Sequence, residues 1–187
     1  MENEEKKNEV SFPEKLLKTR SIMISGEINK DTADAFCKQI LVLDSESNDP
    51  IYVYINSPGG DVYSGFSIYD MIRYVESPVY VIGAGLVASA AALLYLAADK
   101  EHRLSLPHAT YLIHQPLSQM RGVAIDMAIQ AEKMEELRHA LDQLIADASG
   151  QSVEKVSADT ERDHWLTAEE ALEYGIVTRI ITNKKDI

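Results

Sequence analysis

The stretch Val79–Ala98, V-Y-V-I-G-A-G-L-V-A-S-A-A-A-L-L-Y-L-A-A, constrains the fold more than any other part of the chain. Its β-branched run Val79–Ile82 predicts a buried strand. Gly83 and Gly85 then permit a turn that a residue with a Cβ would resist. Ala90–Ala98 is dominated by Ala and Leu, the best helix formers. Ser89 is the hydroxyl of the turn and stands where that helix should begin. A serine in this position has two uses. Its side chain can cap the helix by accepting from orphan backbone N–H groups. It can also act as a nucleophile, with those same N–H groups facing a developing oxyanion.

The rest of the chain repeats the strand-then-helix pattern. Ser21–Ser25 and Ile51–Ile55 read as strands. Apolar spacing predicts helices over Asp31–Leu43 (Ala33, Phe36, Cys37, Ile40, Leu41) and from Val62 to Val75 (Phe66, Met71, Ile72). Alternation of this kind implies an α/β class, with βαβ crossovers and a mainly parallel sheet. Arg103–Leu106 and Thr110–Ile113 predict short strands on either side of Pro107. Val123–Ser149 predicts one long helix closed by Gly150. Its apolar stripe (Met127, Met134, Leu137, Leu141, Leu144, Ala148) is narrow, so the helix either lies on its own core or projects and packs on a partner. Beyond it, Ser152–Val156 reads as a short helix and Asp159–Leu166 as an irregular charged segment. A Thr167/Glu170 capping box opens a helix ending at Gly175, and Ile176–Ile181 closes the chain as a strand. Residues 1–20 form an N-terminal segment, with a disordered tail over Met1–Val10 and Ser11 and Glu14 at capping-box spacing. Residues 21–187 are expected to form one domain.

Composition excludes several function classes. A formal net charge of −12 lacks the basic footprint of a nucleic-acid binder and opposes docking on an anionic membrane. Cys37 is alone, which rules out an internal disulfide and fits a reducing compartment. The first residues contain no apolar signal core, and the longest apolar run, Leu86–Ala98, falls short of the roughly 20 residues a spanning helix needs. A soluble cytoplasmic protein is expected.

Two glycine-containing turns follow strands, Ser57-Pro58-Gly59-Gly60 and Gly83-Ala84-Gly85. Both place free N–H groups at strand ends, where sites of open α/β sheets collect. The dinucleotide and Walker A spacings are absent, so an oxyanion hole is the better use, with one donor from Gly60 and one from Ala90. A serine nucleophile needs a base. Among the five histidines, His139 lies on the polar face of the long helix, His164 in the charged segment, and His102 and His108 beside a loop. His114 ends an apolar strand and opens onto Gln115-Pro116, which suits a general base as well as a structural histidine. For the orienting carboxylate, spacing leaves Asp159 and Asp163 both open. No H-E-x-x-H and no Cys/His cluster is present, so no metal is expected.

Four segments, in this order, carry a resemblance: I-Y-V-Y-I-N-S-P-G-G-D-V (51–62), G-L-V-A-S-A-A-A (85–92), L-I-H-Q-P-L (112–117), and D-T-E-R-D with A-E-E-A-L-E-Y-G (159–175). Together they resemble the family of ATP-dependent Clp protease proteolytic subunits (ClpP), over about Ile22–Ile181. The resemblance implies a ClpP/crotonase-like α/β fold of repeated βαβ units with a protruding handle at about 115–149. It also implies a serine endopeptidase in which Ser89 is the nucleophile, His114 the base and Asp163 the triad carboxylate. Gly60 and Ala90 match the oxyanion donors. Asp61, Val62, Leu117, Ser118 and Gln119 match the positions that line the substrate strand. Glu161 and Arg162 match positions that pair between rings and couple assembly to triad alignment. Such subunits form two stacked seven-membered rings, fed with unfolded polypeptide by an AAA+ Clp unfoldase. They need no cofactor, since ATP is used only by the unfoldase.

The chain departs from the family pattern in three places. Ser118-Gln119 replaces a usual glycine pair, Ala90-Ala91 replaces Met-Gly, and the stretch before Leu16 lacks the usual gating-loop sequence. A backbone N–H donates whatever its side chain, so the oxyanion hole survives the second change. The first and third suggest an atypical or paralogous subunit working beside a second ClpP type. Two rival functions remain: a crotonase-type acyl-CoA enzyme, which would need no serine nucleophile, and a non-catalytic scaffold subunit of a mixed ring.

Overall fold

Apolar β-branched runs become the strands of one twisted layer in the computed structural model, which describes residues 12–187. The expectations for the tail and for the Ser11–Glu14 cap rest on Met1–Ser11 and lie outside the described residues. In chain order the main elements are α1 (Phe12–Leu17), β1 (Ser21–Ser25), α2 (Lys30–Glu46), β2 (Ile51–Ser57), α3 (Val62–Tyr74), β3 (Val79–Ala88) and α4 (Ala90–Leu96). There follow β4 (Arg103–Ser105), β5 (Thr110–Ile113), α5 (Ala124–Ser149), α6 (Val153–Thr160), β6 (His164–Thr167), α7 (Ala168–Tyr174) and β7 (Arg179–Ile180). The sheet runs β1-β2-β3-β4-β7, with every neighbouring pair parallel, as the strand–helix alternation predicts.

β3 is the branch point. Its first half pairs with β4 (Val81–Gly83 against Arg103–Ser105), and its second half pairs with β5 (Leu86–Ala88 against Thr110–Leu112). β6 then adds antiparallel to β5. Gly83 and Gly85 were expected to end the strand in a turn. They instead sit inside β3, next to a register shift against β2 between Ile55 and Ser57, and the chain turns only at Ser89. Gly85 takes φ +89°, and the Asn56 side-chain oxygen accepts from the Leu86 N–H at 3.1 Å, which holds the bulge. Gly83 is needed because a Cβ there would overlap the Tyr111 hydroxyl. The bulge re-aims β3 so that its end meets β5 rather than β4.

The core forms where Ile22, Ile24, Val53, Ile55 and Val81 of the sheet meet Phe36 and Ile40 of α2 and Ile68 and Ile72 of α3. All seven residues of α4 are buried, which suits a helix that is apolar on every side. Three further expectations are corrected at the C-terminal end. The helix after Gly150 runs on to Thr160, the segment expected to be irregular contains β6, and the closing strand is only Arg179–Ile180. Ile176 and Val177 turn their N–H groups to the Ala171 carbonyl at the end of α7, so they never join the sheet.

α5 divides into two parts. Its buried residues are Leu141, Asp142, Ile145, Ala146 and Ser149, all toward the C-terminal end. Toward its start, Ile125 is 67% and Ile129 53% exposed. Of the two readings of the thin apolar stripe, the structure favours the projecting helix, anchored at one end only. Cys37 is half-buried on α2, with its sulfur 3.8 Å from the Ser67 carbonyl oxygen.

Candidate active site

Two short ladders bring the candidate residues together. Ala88 pairs with Leu112, and the next N–H, that of Ser89, donates to the Leu112 carbonyl at 2.9 Å. The end of β3 is thereby fixed beside the end of β5, where His114 follows Ile113. On the other side, β5 pairs with β6 in the register Ile113↔His164. Because the pairing is antiparallel, the next positions along it are His114 and Asp163, which stand opposite each other. The His114 Nδ1 lies 3.4 Å from the Asp163 Oδ1. Gln115 ties the same corner down: its N–H donates to the Thr160 carbonyl and its side-chain amide to the Glu161 carbonyl, both at 2.7 Å. Register thus distinguishes two carboxylates that sequence spacing left open. Asp159 is occupied elsewhere, paired with Lys155 at 2.5 Å and accepting from the Tyr174 hydroxyl at 2.9 Å.

Ser89 has φ +56° and ψ −124°, a conformation that costs a residue with a side chain about 1–3 kcal/mol. Its side chain makes no capping hydrogen bond to α4. The capping use of this serine is therefore absent, and the strained strand-to-helix turn presents the hydroxyl as a nucleophile elbow does. Ser89 and His114 line one narrow cleft, with Val62, Leu93, Ile113 and Ile145 among its apolar walls.

The loop 57–60 closes against this turn. A Cβ on Gly59 would come within 2.5 Å of the Ala88 carbonyl oxygen, 2.7 Å of the Ser89 Cβ and 2.9 Å of the Ala90 nitrogen. Gly59 has φ +90° and Gly60 φ +151°, and a Cβ on Gly60 would overlap the Ile28 backbone. Ile28 donates to the Gly59 carbonyl and accepts from the Asp61 N–H, each at 2.8 Å, so the intervening Gly60 N–H faces away from Ile28. Ala90 opens α4, and its N–H is in the first turn, which has no intrahelical acceptor. Two residues missed by sequence reasoning complete this part. Ser57, fully buried, donates to the Gly26 carbonyl and accepts from the Gly59 N–H, and Gly59 itself permits the close approach. The S-P-G-G signal was visible, but only the packed loop separates the roles of its two glycines.

The remaining candidates spread around the cleft. Val62 lines it. Asp61 caps α3: hydrogen bonds from the Ser64 hydroxyl and N–H hold its carboxyl below the usual carboxylate range. Leu117, Ser118 and Gln119 are exposed and form no strand with the described residues. Glu161 and Arg162 are exposed next to Asp163. Among the described residues, no group of His, Cys, Asp and Glu has a metal-binding arrangement, and no helix is long and apolar enough to cross a membrane.

Comparison with known proteins gives the family. The family model described as Clp protease matches residues 3–184. ATP-dependent Clp protease proteolytic subunit 2 of Treponema denticola is 49% identical, covering 99% of this chain and 95% of that protein. Subunit 3 of Rhizobium etli is 48% identical over 92% of this chain and 89% of its own. Among solved structures, a point mutant of ClpP1 from Listeria monocytogenes superposes with a TM-score of 0.87 at 46% identity, covering 94% of this chain and 98% of that one.

Proposed function

The chain belongs to the Clp protease family and is a proteolytic subunit, a serine-type hydrolase, and from that premise we propose that Ser89, His114 and Asp163 form its catalytic triad. The observation that supports this reading is β5: it pairs with β3 and β6, the uncapped, strained Ser89 and His114 line one cleft, and the Asp163 carboxylate is 3.4 Å from the His114 Nδ1. The Ser89 Oγ attacks the scissile carbonyl carbon while the His114 Nε2 takes its proton. Asp163, at Nδ1, holds the tautomer and balances the imidazolium. The tetrahedral oxyanion lies between the Gly60 and Ala90 N–H groups. His114 then protonates the departing amine, and water, activated by the same histidine, releases the acyl group.

The substrate is an extended, unfolded polypeptide. It pairs its backbone with the edge formed by 60–62 and by Leu117, Ser118 and Gln119, which gives breadth across sequences. The assembly is two stacked seven-membered rings joined through α5, whose exposed Ile125 and Ile129 suit burial against another copy. Glu161 and Arg162 reach across that junction, next to the triad carboxylate. An AAA+ unfoldase in the cytoplasm supplies the chains and uses the ATP, and the subunit itself needs no cofactor. Several relatives are named subunit 2 or subunit 3, which supports a second subunit type beside this one.

Ser89→Ala tests the reading. Labelling by a fluorophosphonate and cleavage of a fluorogenic peptide should both be lost, while native mass shows the same assembly. Labelling that persists at the wild-type level rules Ser89 out.

A further inference from the structure

A buried hydrogen bond between α5 and α6 has no part in the mechanism above. Thr160 ends α6, three residues before Asp163. Its hydroxyl donates to the Asp142 Oδ1 of α5 at 2.8 Å. Both residues are buried, Thr160 at 1% and Asp142 at 2% exposed. Asp142 lies in the buried half of α5 with Leu141, Ile145 and Ala146, so it moves with the core. Among the described residues, Thr160 is its one hydrogen-bond partner: Oδ2 has none, and no lysine, arginine or histidine nitrogen lies within 4.0 Å.

An acid buried with a single donor is a poor stabiliser, because its desolvation is only partly offset. A buried oxygen left unsatisfied calls for another role. The contacts around Thr160 supply one, because they close a loop on the proposed relay. The Thr160 carbonyl accepts from the N–H of Gln115, one residue past His114, and the Gln115 side-chain amide donates to the Glu161 carbonyl. The chain then runs through Arg162 to Asp163, whose carboxylate is 3.4 Å from the His114 Nδ1. The Asp163 side chain is 62% exposed, so the backbone that carries it, rather than packing, sets where the carboxylate lies. Gln115 moves with His114 and gives that backbone no independent reference. Asp142 does, because it belongs to another element, packed in the core. On the premise of the triad proposed above, we infer that Asp142 and Thr160 are a positioning pair: the bond between them sets the distance from the Asp163 carboxylate to the His114 imidazole. Both act through residues 161–163.

The test is a double-mutant cycle on the assembled protein. Thr160→Val removes the hydroxyl at constant size, and Thr160→Ser keeps it. Thr160→Val is made in the wild-type chain and in Asp163→Asn. The rate of modification by a small fluorophosphonate is followed by intact mass, beside kcat and KM for a fluorogenic peptide. In the wild-type chain, Thr160→Val should slow modification and lower kcat by about tenfold with KM unchanged, the scale of a misplacement below about 1 Å. Thr160→Ser should keep most of the wild-type rate. In Asp163→Asn the same loss of the hydroxyl should slow modification by about twofold or less, because the group it positions is already gone. An equal loss in both chains overturns the inference, since a merely structural bond acts without regard to Asp163. So does an unchanged rate in the wild-type chain, or a Thr160→Ser variant as slow as Thr160→Val. Where native mass shows that Thr160→Val does not assemble, Asp142→Ala removes the same bond from the α5 side and is read by the same criteria. Failure of the wild-type protein to label overturns the triad itself, whereas labelling with equal losses overturns only the positioning pair.

Discussion

The nucleophile side of the site and the proton-relay side are built differently. Ser89, Gly59 and Gly60 are fixed by backbone packed on backbone, with no room for one added carbon at Gly59. His114 and Asp163 meet at the end of a four-residue strand, and the side chain of Asp163 is 62% exposed. Their 3.4 Å separation exceeds the roughly 2.7–2.9 Å of a charge-assisted hydrogen bond. The proposed oxyanion donors are thus held by packed backbone, and the proposed triad carboxylate is not. A displacement of about half an ångström at 161–163 would bring this pair within that range without disturbing the core. The loose half adjoins Glu161 and Arg162; if these meet the other ring as proposed, contact between rings would act where the least structure must move.

Asp163→Asn breaks the comparison hardest. It should lower kcat by about 10,000-fold, because the imidazole loses the partner that sets its tautomer. Stability should change by about 0.5 kcal/mol or less, as expected for an exposed side chain. Peptide turnover and thermal unfolding of the same preparation measure the two. A variant that retains most of its activity would show that the relay does not depend on this carboxylate.

Gly59→Ala strikes the rigid half. The methyl group has no place to go and the backbone has φ +90°, so both the loop and the Ser89 turn must shift. Turnover should fall by about 100-fold or more, the scale of a lost oxyanion donor. Unlike the first variant, this one should also lose about 1–3 kcal/mol of stability. Denaturant unfolding beside the peptide assay separates the two patterns. Equal stability in the two variants would remove the distinction between the halves.

How far the sequence discloses this arrangement follows from where its signals lie. The runs S-I-M-I-S, I-Y-V-Y-I and V-Y-V-I are buried strands flanked by helices of clear period, and they become β1, β2 and β3. Gly83 and Gly85 misdirect the reading, because a bulge and a turn ask for the same residue. His164–Thr167 buries only Leu166, so an edge strand with no alternation to reveal it reads as irregular. Asp163 depends on that strand. Its partnership with His114 is a matter of antiparallel register between segments about 50 residues apart in the chain, which local pattern does not encode; the family resemblance, by contrast, pointed to Asp163.

The smallest effect concerns the aspartate that the register leaves out. Burial raises the pKa of Asp159, but hydrogen bonds from Lys155 and the Tyr174 hydroxyl outweigh it and hold the carboxyl below its usual range. A carboxyl depressed in the folded state contributes stability that is present above its unfolded pKa, about 3.9, and is lost as pH falls through the folded value. Asp159→Asn should therefore cost about 1 kcal/mol or less at neutral pH, since the Lys155 side chain is half exposed and the pair is screened by solvent. The gap between wild-type and variant melting temperatures should stay level from pH 6 to 8 and close below about pH 4. Peptide turnover per labelled subunit should not move, because this carboxylate serves the α6–α7 packing through Tyr174 rather than the imidazole. A fall in turnover comparable to that of Asp163→Asn would mean that the relay draws on both acids, and that the loose half extends back into α6.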